Sequence, residues 1–431
     1  MKSIKRLCVC LALCAPHPGA GQTSMSLDSC LVLARRNSPQ LRMAENAARA
    51  AVLSKSELES TGLPQLQAVM DGIYFPVPPV YGYDPGISNG GEVRGLVTLR
   101  QSIYDSGVRG LKSDQISVDL ERLGHERDLA GLDLELAVKL AFFEALRTDG
   151  EFALDHESVE QLEAYLGLLQ RLYRGGSASS TDLLRTEIQT SAARLALAKA
   201  QESSLGAKVA LEELIGLPPD TAVSLVTLPG DTLALSPDST RGGKEFDPSG
   251  TLEMTVAGLL IRRNVMEEEI AGRERFPDIS MFADAGYLTS GENLRLPQAE
   301  RINGLGYSVG IAIQFPLFNW GATGLRVQEK ELATEDLRQR MELLRRSMAS
   351  DAARTRIRLV NARERLRILR GDLAKARDNF ILTKSKFAGG GALSLEVLSA
   401  QQALTDVRLA EIQALADIRS IGARIERLNA H

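Results

Sequence analysis

Sliding this 431-residue chain against itself by 214 positions brings separate motifs into register. Ile103-Tyr104-Asp105-Ser106-Gly107-Val108-Arg109-Gly110-Leu111 falls on Leu317-Phe318-Asn319-Trp320-Gly321-Ala322-Thr323-Gly324-Leu325. At the same offset Tyr173-Arg174-Gly175-Gly176-Ser177-Ala178 falls on Phe387-Ala388-Gly389-Gly390-Gly391-Ala392, and Asp182-Leu183-Leu184 on Glu396-Val397-Leu398. Pro64-Gln65-Leu66 matches Pro277-Asp278-Ile279 at an offset of 213. One offset held across about 80 residues of separate matches marks a duplicated unit, so the chain must fold as two copies of one design.

Proline placement says what that design is. None of the 16 prolines lies between Gly86 and Leu217 or between Leu317 and His431, which leaves two long tracts without the strongest helix breaker. Each unit therefore reads as a helical stretch, two strands around a Pro/Gly/Asn loop, a very long helix, a Gly-rich turn and a second helix. The expected bounds are a leader over 1–21, a first repeat over 22–215, a linker over 216–250 and a second repeat over 251–431. Strands are expected near 66–75, 91–103, 278–289 and 304–315. Long helices are expected near 106–174 and 321–388, about 100 Å each at 1.5 Å per residue, with return helices near 179–215 and 393–429. Leu337, Met341, Leu344, Met348, Leu359, Ala362, Leu366, Leu369, Leu373, Ala376 and Phe380 recur at spacings of three and four, a coiled-coil seam with a stutter between Met348 and Leu359. Val159, Leu162, Leu166, Leu169 and Tyr173 mark the same seam in the first repeat.

The strands alternate. Leu305, Tyr307, Val309, Ile311, Ile313 and Phe315 stand against small or polar neighbours, so one face of that strand is continuously apolar. Ile279, Met281, Ala283, Ala285 and Tyr287 do the same in its hairpin partner, Val93, Gly95, Val97 and Leu99 in the first repeat, and Leu66, Ala68, Met70, Gly72 and Tyr74 more weakly. Segments of about 10 residues with this dyad suit transmembrane barrel strands. A half-buried sheet in a soluble α+β protein would alternate in the same way. The leader, the extreme helices and the want of anything else to cover the sheet favour the membrane. Four strands leave two open edges, which hydrocarbon does not tolerate, so strands must be pooled between copies: two chains give 8 and three give 12.

Composition is that of an average soluble protein, 44% hydrophobic and 25% charged with net charge −4, and no stretch after the N-terminus is apolar enough for a membrane-spanning helix. Lys2, Lys5 and Arg6, the apolar run from Leu7 to Ala15 and the small residues Gly19, Ala20 and Gly21 have the layout of a secretory leader. Its removal takes the net charge to about −7, a balance that argues against nucleic acid as a partner. All four cysteines lie in the first 30 residues, leaving Cys30 as the single thiol of the mature chain and no disulfide or cysteine metal cluster. Leu13 before Cys14 and Val9 before Cys10 speak against a lipoprotein site. The histidines, His17, His125, His156 and His431, have no ligand-spaced partner, and neither a nucleophile elbow nor a phosphate loop occurs, so no cofactor, metal or enzymatic chemistry is expected.

With those elements in order, the chain resembles the TolC-type outer-membrane efflux proteins, the outer membrane factors of tripartite export systems, over essentially its whole mature length. The matching stretches are Ser26-Leu27 through Asn37-Ser38-Pro39, Tyr173 through Ser179 with Asp182-Leu183-Leu184, and Phe387 through Gly390 followed by Leu395 through Leu404. The fold class is then mainly α with transmembrane β: long antiparallel coiled-coil helices plus four strands given to a 12-stranded barrel. The resemblance implies a homotrimer in outer-membrane lipid whose α-helical tunnel crosses the periplasm to meet a periplasmic adaptor and an inner-membrane transporter. It implies adaptor docking at the hairpin tips, Gly175, Gly176, Ser177, Ser179, Gly389, Gly390, Gly391 and Ala392. It also implies an acidic constriction, for which Glu396 matches the family's first position and Asp182 is its repeat equivalent. The family's second acid is Ser399 here, and the Arg and Tyr that tie its closed mouth match Ala392 and Phe387. A solvated carboxylate favoured by the helix macrodipole is the other reading of Glu396. The function implied is passive conduction of cargo delivered by the pump, either small molecules or, as in type I secretion, protein. An exported coiled-coil scaffold without a pore is the alternative from another class.

Overall fold

A computed structural model describes residues 23–73, 92–219, 223–226, 246–290 and 303–430. The leader, Tyr74, the Pro/Gly loops at 76–86 and 291–302, most of the linker and His431 lie outside the described residues. In chain order the elements are β1 (Thr23–Met25), α1 (Leu27–Asn37), α2 (Pro39–Ser60), β2 (Gln65–Ile73), β3 (Glu92–Tyr104), α3 (Val108–Arg174), α4 (Ser180–Ile215), β4 (Val223–Leu225), α5 (Leu252–Arg273), β5 (Asp278–Ser290), β6 (Asn303–Gln314), α6 (Ala322–Ala388) and α7 (Ser394–Leu428). They form two compact units.

One unit holds residues 1–39, 131–245 and 351–430. Its helices start and stop where local chemistry directs. The Ser26 hydroxyl accepts from the Ser29 N–H at the head of α1, Asp28 sits in the first turn and Arg35 and Arg36 in the last, each complementing the macrodipole. Gly216, left-handed at φ 72°, ends α4. Phe142 and Phe143 meet edge to face with centroids 6.1 Å apart, and with Val138, Leu169, Leu211, Ile215, Leu359 and Leu398 they are the largest fully buried apolar side chains. Charged groups lace the helices at the rim of this core: Lys139 Nζ lies 2.8 Å from Glu135 and 2.9 Å from Glu426, and Arg427 lies 2.8 Å from Asp133. Outside the sequence-based expectation, β1 and β4 pair in parallel, Thr23 with Val223 through Met25 with Leu225, tying the segment ahead of α1 to the segment after α4. Cys30 on α1 is fully buried, and burial pushes its thiol up to about 11.

The other unit, residues 40–130 and 246–350, carries the four-stranded antiparallel sheet in the order β2-β3-β5-β6. Its helical part is knitted by polar contacts. Arg263 lies 2.9 Å from Asp119, Lys330 lies 2.8 Å from Glu267, and Asn264 donates to the Lys330 carbonyl and to the Thr334 hydroxyl. The long helices begin at Val108 and Ala322, later than expected near 106 and 321. Ser106-Gly107 and Trp320-Gly321 are consecutive left-handed residues, at φ 56°, 79°, 55° and 80°, so the chain must turn before it can wind.

Along α6 the inward positions run through Thr334, Leu337, Met341, Leu344, Met348, Ala352, Thr355, Leu359, Ala362 and Leu366. The steps alternate between three and four except at Leu344–Met348–Ala352, where two fours fall together. That is the stutter, and small or polar Ala352 and Thr355 bridge what reads as a gap in the apolar pattern. In α3 the seam ends at Leu172, which is half-buried. Tyr173, expected in the seam, is exposed because the helix has reached its last turn there.

Candidate functional site

Two regions carry the expected site residues. At the hairpin tips the repeat is reproduced bond by bond. The Ser177 N–H donates to the Leu172 carbonyl at 2.8 Å and the Gly176 N–H to Tyr173 at 3.0 Å. In the second repeat Gly391 donates to Lys386 at 2.8 Å and Gly390 to Phe387 at 3.0 Å. Both are Schellman closures whose pivot, Gly176 or Gly390, is left-handed at φ 75° or 76°. Gly175, Gly389 and Gly391 have no positive φ, so one glycine per tip carries the left-handed backbone. Gly175, Gly176, Ser177, Ser179, Gly389, Gly390 and Gly391 are exposed, Ala392 is half-buried, and the Ser179 hydroxyl caps α4 by accepting from the Thr181 N–H at 3.1 Å.

Glu396 is exposed and folds back on its own helix start, its carboxylate accepting from the Leu393 N–H at 3.3 Å. Asp182 is half-buried at the matching turn of α4. Between the two tips stands a residue that the sequence pattern did not single out. The Tyr165 hydroxyl lies 3.0 Å from the buried Ser394 hydroxyl, and its ring meets Phe387 edge to face at 5.6 Å. Burial pushes the phenol up and the nearby charge of Asp182 adds to it, outweighing the hydrogen bond to Ser394. Below it Gln401 pairs with Gln161 at 3.4 Å, and Arg408 with Glu157 at 2.8 Å. Tyr165 was invisible because one aromatic on a long helix carries no periodic signal, although Phe387, its contact, lies at a quoted motif position.

The second region is the sheet. Strand pairing puts Leu66 opposite Leu99, Leu99 opposite Ala283 and Ala283 opposite Val309, so the apolar residues of all four strands share one face. On β6 and just past it, Leu305, Tyr307, Val309, Ile311, Ile313 and Phe315 are all exposed. The opposite face is polar: Arg94 pairs with Asp71 at 3.1 Å, and the Ser308 hydroxyl lies 3.3 Å from Asp284. A continuously apolar face backed by one of mainly polar and small residues, with Val69, Leu96 and Phe282 among them, fits the division between lipid and water in a barrel wall. Among the described residues no helix is long and apolar enough to cross a membrane, and no cluster of His, Cys, Asp or Glu could hold a metal.

The comparisons with known proteins agree with this architecture. The family model described as outer membrane efflux protein matches residues 30–217 and 262–430. The proteases secretion protein PrtF of Dickeya chrysanthemi is 23% identical over 437 residues, covering 96% of this chain and 92% of that one. The alkaline protease secretion protein AprF of Pseudomonas aeruginosa is 23% identical over 70% of this chain and 65% of its own. Among solved structures, the outer membrane protein VceC of Vibrio cholerae superposes with a TM-score of 0.75 at 17% identity, covering 94% of this chain and 96% of that chain. The chain belongs to the outer membrane efflux protein family, channel proteins of the Gram-negative outer membrane that reach into the periplasm.

Proposed function

We propose that this chain is the exit duct of a tripartite export system: a homotrimer, not an enzyme, that passively conducts cargo handed to it by an inner-membrane transporter through a periplasmic adaptor. The observation that carries it is the sheet, a wall of four strands with an apolar face, a polar face and two open edges. Such a wall is stable in lipid only when closed with other copies, and three copies give the 12 strands of a conducting barrel. Leu305, Tyr307, Val309, Ile311, Ile313 and Phe315 then face lipid, and the exposed tips around Ser177 and Ala392 meet the adaptor. Purified protein in planar bilayers should give discrete conductance steps and require detergent for extraction; a water-soluble rod without conductance would replace this reading with a scaffold. Cysteines at Ser177 and Ala392 should crosslink to the adaptor in a working complex, and no adduct there would remove the tips from the docking surface.

Protein as cargo is supported by one specific observation: PrtF and AprF, both aligned with this chain, are named for protease secretion. Deleting the gene and scoring secreted protein against drug susceptibility separates the cargoes, because loss of an exported protein with unchanged drug tolerance selects secretion.

A further inference from the structure

The two long helices are images of each other at an offset of 214, yet they carry opposite charge. Over 352–371 of α6 there are seven arginines against the single acid Glu364, a net charge of +6. The image of that stretch on α3, 138–157, has the two cations Lys139 and Arg147 against five acids, a net charge of −3. Arg358, Arg363 and Arg365 fall on Glu144, Asp149 and Glu151. Those acids are satisfied within the chain: Arg147 bridges Glu144 and Glu151, and Lys208 lies 2.8 Å from Asp149. The arginines are satisfied far less. Arg367 pairs with Glu364 at 2.7 Å, and Arg365 and Arg370 reach Asp417 and Glu411 only at 3.5 and 3.7 Å. Among the described residues no ion pair holds Arg354, Arg356 or Arg358.

Helical spacing sorts this stretch of α6 into four faces. Thr355, Leu359, Ala362 and Leu366 form the seam toward the rest of the chain, with Leu359 and Ala362 fully buried. Opposite them lie Ile357, Val360 and Ile368, apolar yet 61%, 56% and 49% exposed. Two arginine stripes run between these faces, Arg354, Arg358 and Arg365 on one side and Arg356, Arg363, Arg367 and Arg370 on the other. The first stripe borders a cavity of about 360 Å³ against α7, where Arg424 adds a cation, Asn361 and Ser420 add neutral hydrogen-bonding groups, and Asp417 is the one carboxylate.

We propose that α6 gives the conduit a cationic belt, which makes it pass anionic cargo, rich in carboxylates or phosphates, in preference to cationic cargo. The inference rests on the duct proposed above and adds the charge class of what it carries. In a closed wall the two apolar faces of α6 meet the helices on either side of it, so one arginine stripe faces the conduit and the other faces outward, whichever way the wall is turned. Repeated in every copy, the inner stripe surrounds the conduit with guanidinium groups, and a low-dielectric wall focuses their field on whatever passes. Arginine keeps that charge at every working pH. The belt lies about 27–51 Å before the end of α6 at 1.5 Å per residue. That is well beyond the Debye length of about 10 Å in 0.1 M salt, so Glu396 at the tip acts separately and with the opposite sign.

The test reads the reversal potential of the full chain in planar bilayers under a potassium chloride gradient at roughly 0.1 M, where the belt is least screened. One variant combines Arg354→Gln, Arg358→Gln and Arg365→Gln, and the other combines Arg356→Gln, Arg363→Gln, Arg367→Gln and Arg370→Gln. One of the two should move the reversal potential toward cation preference while the other leaves it in place. Lysine at the positions of the active set should restore it, because the charge is kept. Salt at about 1 M, with a Debye length of about 3 Å, should erase the difference. Oligoglutamate should block the current of the unsubstituted channel more often than that of the active variant, and oligolysine less often. A shifted potential with unchanged oligoglutamate blockade would overturn polymeric cargo and support small anions alone. Conductance that neither variant makes less anion-preferring would overturn the belt and leave the duct standing, and equal shifts from both would overturn the division into an inner and an outer stripe. No conductance from any form, the unsubstituted chain included, would overturn the duct and the belt with it.

Discussion

At the scale of single residues, the tips show how little sequence is needed to set a turn and how much it conceals. The paired glycines were legible as reversals, because only glycine enters the left-handed region freely, but which glycine pivots depends on where the last helical bond closes. Gly176→Ala and Gly390→Ala should each destabilise by about 1–2 kcal/mol, the cost of a left-handed alanine, while Gly175→Ala, whose added carbon would meet the Leu172 carbonyl at an ordinary 3.5 Å, should be near neutral. Denaturant midpoints of the three variants check this. Tyr165 was not legible, and its importance lies in the contacts it gathers from both repeats. Tyr165→Phe keeps the Phe387 contact and loses the bond to Ser394, for an expected cost of about 1 kcal/mol. A phenol whose folded pKa is raised contributes stability that is intact below the unfolded tyrosine range, near 10, and is lost as pH rises through the folded value. Tyr165→Phe should therefore flatten the alkaline limb of the unfolding profile, and an unchanged limb would mean that the phenol does not hold the tip. Glu396 separates its two readings by a different readout: with Glu396→Ala, lost cation selectivity in bilayers supports a charged ring, whereas a small loss of stability with unchanged selectivity leaves only the bond to the Leu393 N–H.

At the scale of elements, what could be read was what has a period. Alternation in β5 and β6 placed their apolar faces correctly because a period of two leaves a single choice of phase, and the seam of α6 showed wherever large apolar residues mark it. Ala352 and Thr355 escaped because small and polar side chains fill seam positions without an apolar signal, and the three-residue pairing of β1 with β4 is too short to carry any pattern. The helix-to-helix ion pairs are likewise beyond a linear reading, since Lys139 and Glu426 are nearly 300 residues apart. They are nonetheless where pH acts on the elements. Burial alone would raise Glu135, but the pairs with Lys139 and Arg35 outweigh it and hold the carboxyl below its ordinary range. Such a group contributes stability that is present above the unfolded carboxylate range, near 4.3, and is lost as pH falls through the folded value. Lys139→Met leaves Glu135 and Glu426 without their shared cation and should cost about 1–3 kcal/mol at pH 7. The gap to the unsubstituted protein should narrow on acidification, as Glu135 protonates and its pair with Lys139 ceases to contribute, and thermal midpoints at pH 7 and pH 4 in detergent measure both numbers.

At the scale of the whole molecule, the repeat in the sequence and the compact units in space are different divisions of the same chain. Each unit draws on both repeats: one combines 131–245 with 351–430, the other 40–130 with 246–350. The reason is the long helix, which begins beside the sheet and ends at a tip, so each repeat contributes one hairpin to the sheet unit and one helix pair to the tip unit. A single repeat would be left with a two-stranded hairpin, marginal in isolation. It would also expose the faces that its counterpart covers, such as those around Phe142 on α3 and Leu398 on α7. Expression of residues 251–431 alone should therefore give a protease-sensitive, aggregating product, and residues 22–226 alone should do the same. Exported together, the two pieces retain every element from β1 to α7 and are separated only between β4 and α5. They should reassemble into a protease-resistant, conducting species. A folded, protease-resistant single repeat would show that duplication had preserved an autonomous domain, and that the shared packing of the halves is dispensable for folding.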